Sequence, residues 1–129
     1  MTTTAMMSST RKVSRGDVVL LPIAFVSGTG SKVRPAVVVQ NDNLNARLNS
    51  TIVAIITSTN VRARLEPTQL FIDIATPDGS QTGLLHNSTI KCEHIDTVDQ
   101  RDIVRVIGCL AAGMLVQLET CLKAALEIA

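Results

Sequence analysis

The sequence is short of the residues that cross-link a chain, bind metal ions or span a membrane. It contains three cysteines and two histidines, and their spacing fits neither a zinc knuckle nor another metal site. An odd number of cysteines is most simply interpreted as reduced, partly buried thiols in a cytoplasmic protein. The longest weakly polar stretch, 106–118, covers 13 residues, whereas a membrane-spanning helix needs about 20.

The first 14 residues lack both acidic side chains and the apolar segment of a secretory signal. Their Ser- and Thr-rich composition resembles that of an organellar transit peptide, but a disordered tail over 1–14 is the preferred interpretation. Residues 15–129 are enough chain for one domain with its own core. We find no internal repeat or linker that would divide them.

Charge is close to balanced overall but unevenly distributed. The net charge is +1, yet residues 1–64 hold eight Lys or Arg against two acidic residues, and residues 65–129 hold four against nine. A basic half and an acidic half indicate one face for an anionic ligand and another for a different partner. An unevenly charged but merely solvated surface is the alternative.

Short apolar and β-branched runs predict strands for most of the chain, and a terminal segment with apolar residues at steps of three and four predicts a helix. The expected fold class is β-rich α+β, a small barrel of five to six mainly antiparallel strands with a terminal helix. Strands are predicted at 17–21, 34–40, 51–57, 69–74, 88–92 and 103–107, turns at 41–43 and 76–79, and the helix at 112–128.

Two polar side chains stand at the ends of neighbouring apolar strands. Arg34 and Pro35 directly precede the apolar run 36–39, and Thr57 ends the run 51–56. These positions bring a planar, permanently charged donor and a hydroxyl group to one edge of the sheet, which favours phosphate chemistry there. A solvent-facing arginine and an ordinary strand threonine are the alternative.

Four segments in order are similar to the motifs of the MazF/PemK toxins. They are RGDVV at 15–19, VRPAVVVQND at 33–42, IITS at 55–58 and TVD at 97–99. The resemblance implies a CcdB/PemK-like, SH3-like barrel and a symmetric homodimer. It also implies a sequence-specific, metal-independent endoribonuclease (mRNA interferase) that needs no cofactor. The partners it implies are single-stranded RNA and a cognate MazE-like antitoxin, whose acidic tail would cover the RNA groove.

The resemblance carries catalytic roles onto Arg34 and Thr57. In this chemistry the 2′-hydroxyl attacks its own phosphate and leaves 2′,3′-cyclic phosphate and 5′-hydroxyl ends. Arg34 would bind the non-bridging oxygens of the crowded, charged transition state, and Thr57 would donate a second hydrogen bond. Ser58 and Glu93 are secondary catalytic candidates, Glu93 as a base if its pKa is raised. A merely solvated Glu93 is the alternative.

RNA contacts are harder to assign because the chain has no Trp or Tyr and only two Phe, and aromatic rings commonly stack bases. Phe25 would stack a base or, alternatively, lie in the core. The other expected RNA-binding residues are polar or basic: Gly30, Ser31, Lys32, Arg62 and Arg64.

Two positions depart from the family pattern. Asp96 replaces a residue that is basic in many members, and the first loop, SGTGSK at 27–32, lacks the usual acidic or amide side chains. Two other functions therefore remain open, a non-enzymatic CcdB-like toxin that poisons gyrase and a catalytically decayed RNA-binding barrel. The CcdB type depends on a Trp-Gly-Ile ending that this chain lacks.

Overall fold

A single antiparallel sheet of six strands forms the centre of the fold. The structure, a computed structural model, describes residues 12–25, 27–58 and 65–129. The strands are β1 (Asp17–Ala24), β2 (Ser31–Val38), β3 (Ser50–Thr57), β4 (Gln69–Ile72), β5 (Ser88–Asp99) and β6 (Arg105–Cys109). The helices are α1 (Asp42–Arg47), α2 (Pro77–Gln81) and α3 (Ala112–Leu126), with a 3-10 turn at Gln100–Asp102.

The six strands are ordered β4-β5-β3-β2-β1-β6, and every neighbouring pair is antiparallel. The predicted fold class, a β-rich α+β small barrel of five to six mainly antiparallel strands with a terminal helix, is therefore confirmed. β3 and β2 lie at the centre of the sheet. The two motifs that hold Arg34 and Thr57 are thus on adjacent strands.

The sheet buries both of its faces, which explains why its central strands are apolar without alternation. One face and α3 share a core that includes Val37, Ile56 and Leu118. The opposite face carries a second core, which includes Val38 and Ile55. Because successive residues of a strand point to opposite faces, a continuous apolar run supplies both cores.

The terminal helix α3 begins after Ala111, which provides no side-chain cap, and ends at Leu126. Its buried residues are Met114, Leu118 and Cys121. The predicted stripe is correct at its centre but included Leu126, which is 52% exposed. The apolar period of the sequence therefore extends beyond the part of α3 that is buried.

Both predicted turns are the starts of short helices. The Asn41 side chain accepts a hydrogen bond from the Leu44 N–H, which caps α1. The Thr76 hydroxyl accepts one from the Gly79 N–H and caps α2, in which Pro77 takes the first position. Residues that favour turns also favour helix N-termini, so the sequence pattern did not separate the two outcomes.

Several strands differ from their predicted bounds, and β1 and β5 both continue further along the chain. β1 continues through Pro22, which pairs with Val33 of β2, while pairing with β6 reaches only Leu20. Because Pro22 lies beyond the part of β1 that pairs with β6, its missing N–H interrupts no hydrogen-bonded ladder on that side. β5 continues past a break in register, because Ala54 pairs with Ile95 but the next residue of β3 pairs with Lys91.

The Gln100 side chain joins three separated segments of the chain. It is fully buried, and its Oε1 accepts a hydrogen bond from the Val13 N–H at 3.1 Å. Its Nε2 donates to the carbonyl oxygens of Asn45 and Leu48 at 3.0 Å and of Ser50 at 3.2 Å. One neutral amide thus holds the start of the described chain against the α1-to-β3 connection.

The fold begins earlier than the predicted boundary at residue 15. Val13 is 5% exposed and packs in the second core, and the Lys12 ammonium group donates to the Leu48 carbonyl oxygen at 2.8 Å. Residues 1–11 lie outside the described residues, so a disordered tail there stays a prediction. Within the described ranges, no helix combines the length and apolarity needed to cross a membrane.

We expect Gln100→Leu to lower the free energy of unfolding by about 2 to 4 kcal/mol, because it leaves buried backbone groups without partners. Urea unfolding followed by far-UV circular dichroism, at one protein concentration, measures the change. Gln117→Leu on the exposed side of α3 is the matched control and should leave stability nearly unchanged. An equally small effect of both substitutions would contradict the role assigned to Gln100.

Candidate functional site

The hydrogen-bonded ladder between β2 and β3 ends at Pro35. The two strands pair at Val38, Val37 and Ala36, the last of these opposite Ile55. The next residue toward the start of β2 is Pro35, which has no N–H to donate. Among the described residues, β2 from Pro35 to Ser31 pairs only with β1, so the sheet opens there between β2 and β3.

Arg34 and Thr57 lie on the two sides of this opening. Each is two residues beyond the last pair, Ala36 and Ile55, so both belong to the same face of the sheet. Continuation of the register would set Arg34 directly opposite Thr57. Arg34 is held on its other side by pairing with Leu21, and Thr57 by pairing with Thr89 of β5.

The opening leads into a cleft of about 580 Å³. It brings together the sequence-predicted residues Lys32, Arg34, Thr57 and Ser58, which come from β2 and the end of β3. The remaining lining residues belong to β1, β2, β3, β6, the segment between α2 and β5, and the start of β5. These residues are Leu20, Val33, Pro35, Ile56, Gly83, Leu84, Leu85, His86, Ser88, Arg105 and Ile107.

The cleft is strongly cationic. Its charged lining residues are Lys32, Arg34 and Arg105, and none of its lining residues is Asp or Glu. In the described part of the chain, ion pairs involve only Arg15 with Glu119 and Arg101 with Asp99. The three cleft cations are therefore not neutralised by described carboxylates, which suits the site to an anionic ligand.

His86, Ser88 and Arg105 are site residues that the sequence did not indicate. Arg105 reaches the cleft because β6 pairs with β1, with Arg105 opposite Leu20. This pairing joins residues 85 positions apart in the chain, so no local sequence pattern predicts it. In the sequence, His86 is a candidate only for metal binding, and it has no Cys or His at the spacing of a metal site.

Phe25, Gly30 and Ser31, which the sequence predicts as RNA-binding residues, lie outside the cleft lining. Phe25 is 41% exposed, so it does not lie in the core. Its N–H donates to the Gly30 carbonyl oxygen at 3.0 Å, and its ring lies against Gly30. Ser31 is exposed and pairs with Ala24. Arg62 and Arg64 fall outside the described residues, so their RNA contacts stay predictions.

Glu93, the candidate base, is engaged elsewhere and does not line the cleft. Its carboxylate accepts hydrogen bonds from the Thr68 hydroxyl and the Gln69 Nε2, both at 2.7 Å. Partial burial opposes ionisation, but the hydrogen bonds from Gln69 and Thr68 prevail and lower the pKa of Glu93. The shift is opposite to the one expected of a base. Asp96, which departs from the family pattern, also lies outside the cleft lining.

The three cysteines have free thiols, and Cys92 and Cys121 are buried. Burial, with smaller contributions from Cys121 and Glu93, raises the pKa of Cys92 to about 12. Burial also raises the pKa of Cys121. Across the described ranges, no three His, Cys, Asp or Glu side chains are grouped as they would be to hold a metal ion.

Comparison with known proteins assigns the chain to a family. Its sequence matches the family described as PemK-like, MazF-like toxin of type II toxin-antitoxin system over residues 14–126. The chain belongs to this family. Endoribonuclease MazF9 of Mycobacterium tuberculosis is 33% identical to it over 98 residues, which are 74% of this chain and 79% of that protein. Endoribonuclease EndoA of Bacillus subtilis is 32% identical over 117 residues, 90% and 96% of the respective chains.

Solved structures share the PemK/MazF-like fold. An endoribonuclease in complex with its cognate antitoxin from a mycobacterial species has a TM-score of 0.74 at 18% identity, over 91% of this chain and 97% of that chain. MazE-MazF from Deinococcus radiodurans gives a TM-score of 0.66 at 19% identity, over 92% and 99%. The family resemblance seen in the four motifs is confirmed.

We expect Gln69→Ala to raise the pKa of Glu93, because it removes the side-chain hydrogen bond that stabilises the carboxylate. NMR titration of the Glu93 carboxyl carbon measures the shift. The stabilisation linked to this carboxylate is present above its unfolded pKa and is lost as pH falls through the lower folded pKa. Thr120→Ala, on the exposed side of α3, is the control, and an unchanged Glu93 titration in Gln69→Ala would contradict the assignment.

Proposed function

We propose that this family member is a metal-independent endoribonuclease that cleaves single-stranded RNA at a short sequence, as the toxin of a type II toxin-antitoxin system. The observation that carries the proposal is the placement of Arg34 and Thr57 across the open end of the β2–β3 ladder, inside a cationic cleft. The names of the relatives MazF9 and EndoA as endoribonucleases support the reaction class.

The proposed reaction begins with attack of a 2′-hydroxyl on the adjacent phosphorus and yields 2′,3′-cyclic phosphate and 5′-hydroxyl ends. The transition state gathers negative charge on the non-bridging oxygens. Arg34 is placed on a strand and so presents its planar donor fork from a rigid element, where preorganised charge stabilises the transition state most effectively. Thr57 supplies a hydroxyl donor from the facing strand, and Ser58 is a second hydroxyl in the same cleft.

RNA would follow the cleft with its phosphates near the cations. Lys32 lies on the same strand as Arg34, and Arg105 approaches from β6. The exposed apolar side chains of Val33 and Leu85, 50% and 82% accessible, offer surfaces for base faces in a chain with few aromatic rings. Contacts by Phe25, Gly30 and Ser31 from the first loop, and by Arg62 and Arg64, would extend the binding surface beyond the cleft.

The proposed partners follow from the same charge pattern and from the family. A MazE-like antitoxin with an acidic tail would neutralise the three unpaired cations and so exclude RNA from the cleft. The antitoxin complex among the solved structures supports this mode of control. We further propose a homodimer that acts in the cytoplasm. Gyrase poisoning and catalytic decay are the alternatives that the following cleavage experiment separates.

We expect Arg34→Ala to slow RNA cleavage by about 100-fold or more, because it removes the cation aimed at the transition state. Arg34→Lys should remain strongly impaired, since a point charge does not reproduce the planar fork. Purified protein is incubated with a long single-stranded RNA in excess EDTA, and the cut ends are mapped and tested for cyclic phosphate. Arg47→Ala, an exposed arginine of α1 outside the cleft, is the matched control.

Thr57 is tested by a pair of near-isosteric substitutions. Thr57→Val keeps the shape and removes the hydroxyl, whereas Thr57→Ser keeps the hydroxyl. We expect cleavage by Thr57→Val to fall about 100-fold and cleavage by Thr57→Ser to stay near the unmodified rate. Uncut RNA with the unmodified protein, or equal cutting by Arg34→Ala and Arg47→Ala, would refute the proposed function.

Phosphate binding predicts a measurable salt dependence. The logarithm of the RNA association constant should fall linearly with the logarithm of salt concentration, by about 0.7 for each phosphate neutralised. Arg105→Gln should reduce this slope by about 0.7, and Arg47→Gln should leave it unchanged. Fluorescence anisotropy with a 2′-O-methyl RNA, which lacks the attacking hydroxyl, measures binding without cleavage. An affinity independent of salt would contradict the assignment of the cleft.

A further inference from the structure

The proposed reaction needs a group that accepts the 2′-hydroxyl proton, and the cleft contains one side chain suited to this. Among its lining residues, Lys32, Arg34 and Arg105 are cations, and Thr57, Ser58 and Ser88 are weakly acidic alcohols. His86 is the one imidazole, and no lining residue is a carboxylate. Imidazole is the side chain that normally changes its protonation between pH 5 and 8.

The segments that the structure does not describe contain no side chain that could act as a competing base in the cleft. Residues 1–11, 26 and 59–64, which the structure does not describe, contain no His, Asp or Glu. Every imidazole and carboxyl side chain of this sequence therefore has a described position. Of these groups, His86 is the one that lines the cleft beside Arg34 and Thr57.

The segment that carries His86 is held in place from both sides. The buried Ser88 donates its hydroxyl to the His86 carbonyl oxygen at 2.8 Å, and Asn87 Oδ1 accepts a hydrogen bond from the Ile74 N–H at 2.9 Å. At the other end Gly83 has φ +76° and packs so closely on the Ile107 carbonyl that a Cβ would overlap it. Such support fixes the backbone from which the imidazole extends.

The imidazole itself is available for chemistry. His86 is exposed, and its ring nitrogens make no hydrogen bond or ion pair with any other described residue. A neutral imidazole retains one nitrogen lone pair as a proton acceptor. The charged groups that share its cleft are Lys32 and Arg34 from β2 and Arg105 from β6, all of which attract the phosphate toward the ring.

We propose that His86 is the general base that takes the proton from the attacking 2′-hydroxyl, an assignment that rests on the proposed ribonuclease function. As the imidazole accepts this proton, the 2′-oxygen bonds to phosphorus and the bond from phosphorus to the 5′-oxygen breaks. The departing 5′-oxygen takes a proton from water in the open cleft. The imidazolium then returns its proton to solvent, which restores the enzyme.

Two other groups serve as comparisons for His86. Glu93, the candidate base of the sequence analysis, is bound to Thr68 and Gln69 outside the cleft lining. His94, the second histidine, follows Glu93 at the break in register of β5, is exposed, and does not line the cleft. Glu93 is therefore the rival base, and His94 is the matched control with the same chemistry in another place.

The test is a pH–rate profile under single-turnover conditions. A short RNA that carries the mapped cut sequence is cleaved in excess EDTA between about pH 5 and 9, across the range in which imidazole titrates. The unmodified protein and His94→Gln should accelerate as pH rises through the acidic limb and then level. His86→Gln should lose this limb and be about 100-fold slower or more on the plateau. Glu93→Gln should keep the limb.

A second variant separates a chemical role from a structural one. Added imidazole should restore cleavage by His86→Ala in a saturable way and should not accelerate the unmodified protein. Circular dichroism of His86→Ala checks that the fold is retained.

Each failure has a distinct meaning. If His86→Gln keeps the unmodified rate and pH limb, or if Glu93→Gln loses the limb instead, the assignment to His86 is overturned while the ribonuclease function stands. If the unmodified protein leaves RNA uncut, the proposed function fails and the assignment fails with it.

Discussion

The missing N–H of Pro35 is the constraint on which the site depends. A central strand of a sheet normally bonds on both sides along its whole length, and such a strand has no room for a ligand. In β2 the proline ends the ladder with β3 while the ladder with β1 continues. The strand therefore stays rigid and yet leaves one side open, with Arg34 and Thr57 on the two margins.

This opening also explains why the cleft collects charge from distant parts of the chain. β1 is shared by β2 and β6, so the start of β6 carries Arg105 to the same region as Lys32. The segment after α2 adds His86 from a third direction. Cations brought together without carboxylates repel one another and destabilise the fold locally, and an anionic ligand offsets that repulsion. We therefore expect the cleft to be most stable when it is occupied.

The sequence was informative where structure is local or follows a simple period. The apolar runs predicted the strands, the three-and-four spacing predicted α3, and the Arg-Pro and Thr-Ser motifs predicted the cleft residues Arg34, Thr57 and Ser58. The features that the sequence did not predict depend on contacts between segments that are distant in the chain. Arg105 enters through pairing of β6 with β1, and the buried position of Gln100 depends on partners about 50 or more residues away. Such partners leave no trace in local spacing or composition.

The Gln100 network has a consequence for how the protein responds to acidity. Its central side chain, Gln100, is an amide without an ionisable group, and its four hydrogen-bond partners are all backbone groups. The joint between the start of the fold and the α1-to-β3 connection thus keeps the same hydrogen bonds when the medium becomes acidic. The hydrogen bonds through which Gln100 holds the start of the fold are thus independent of protonation, and the cleft with its one imidazole, His86, is a separate part of the molecule.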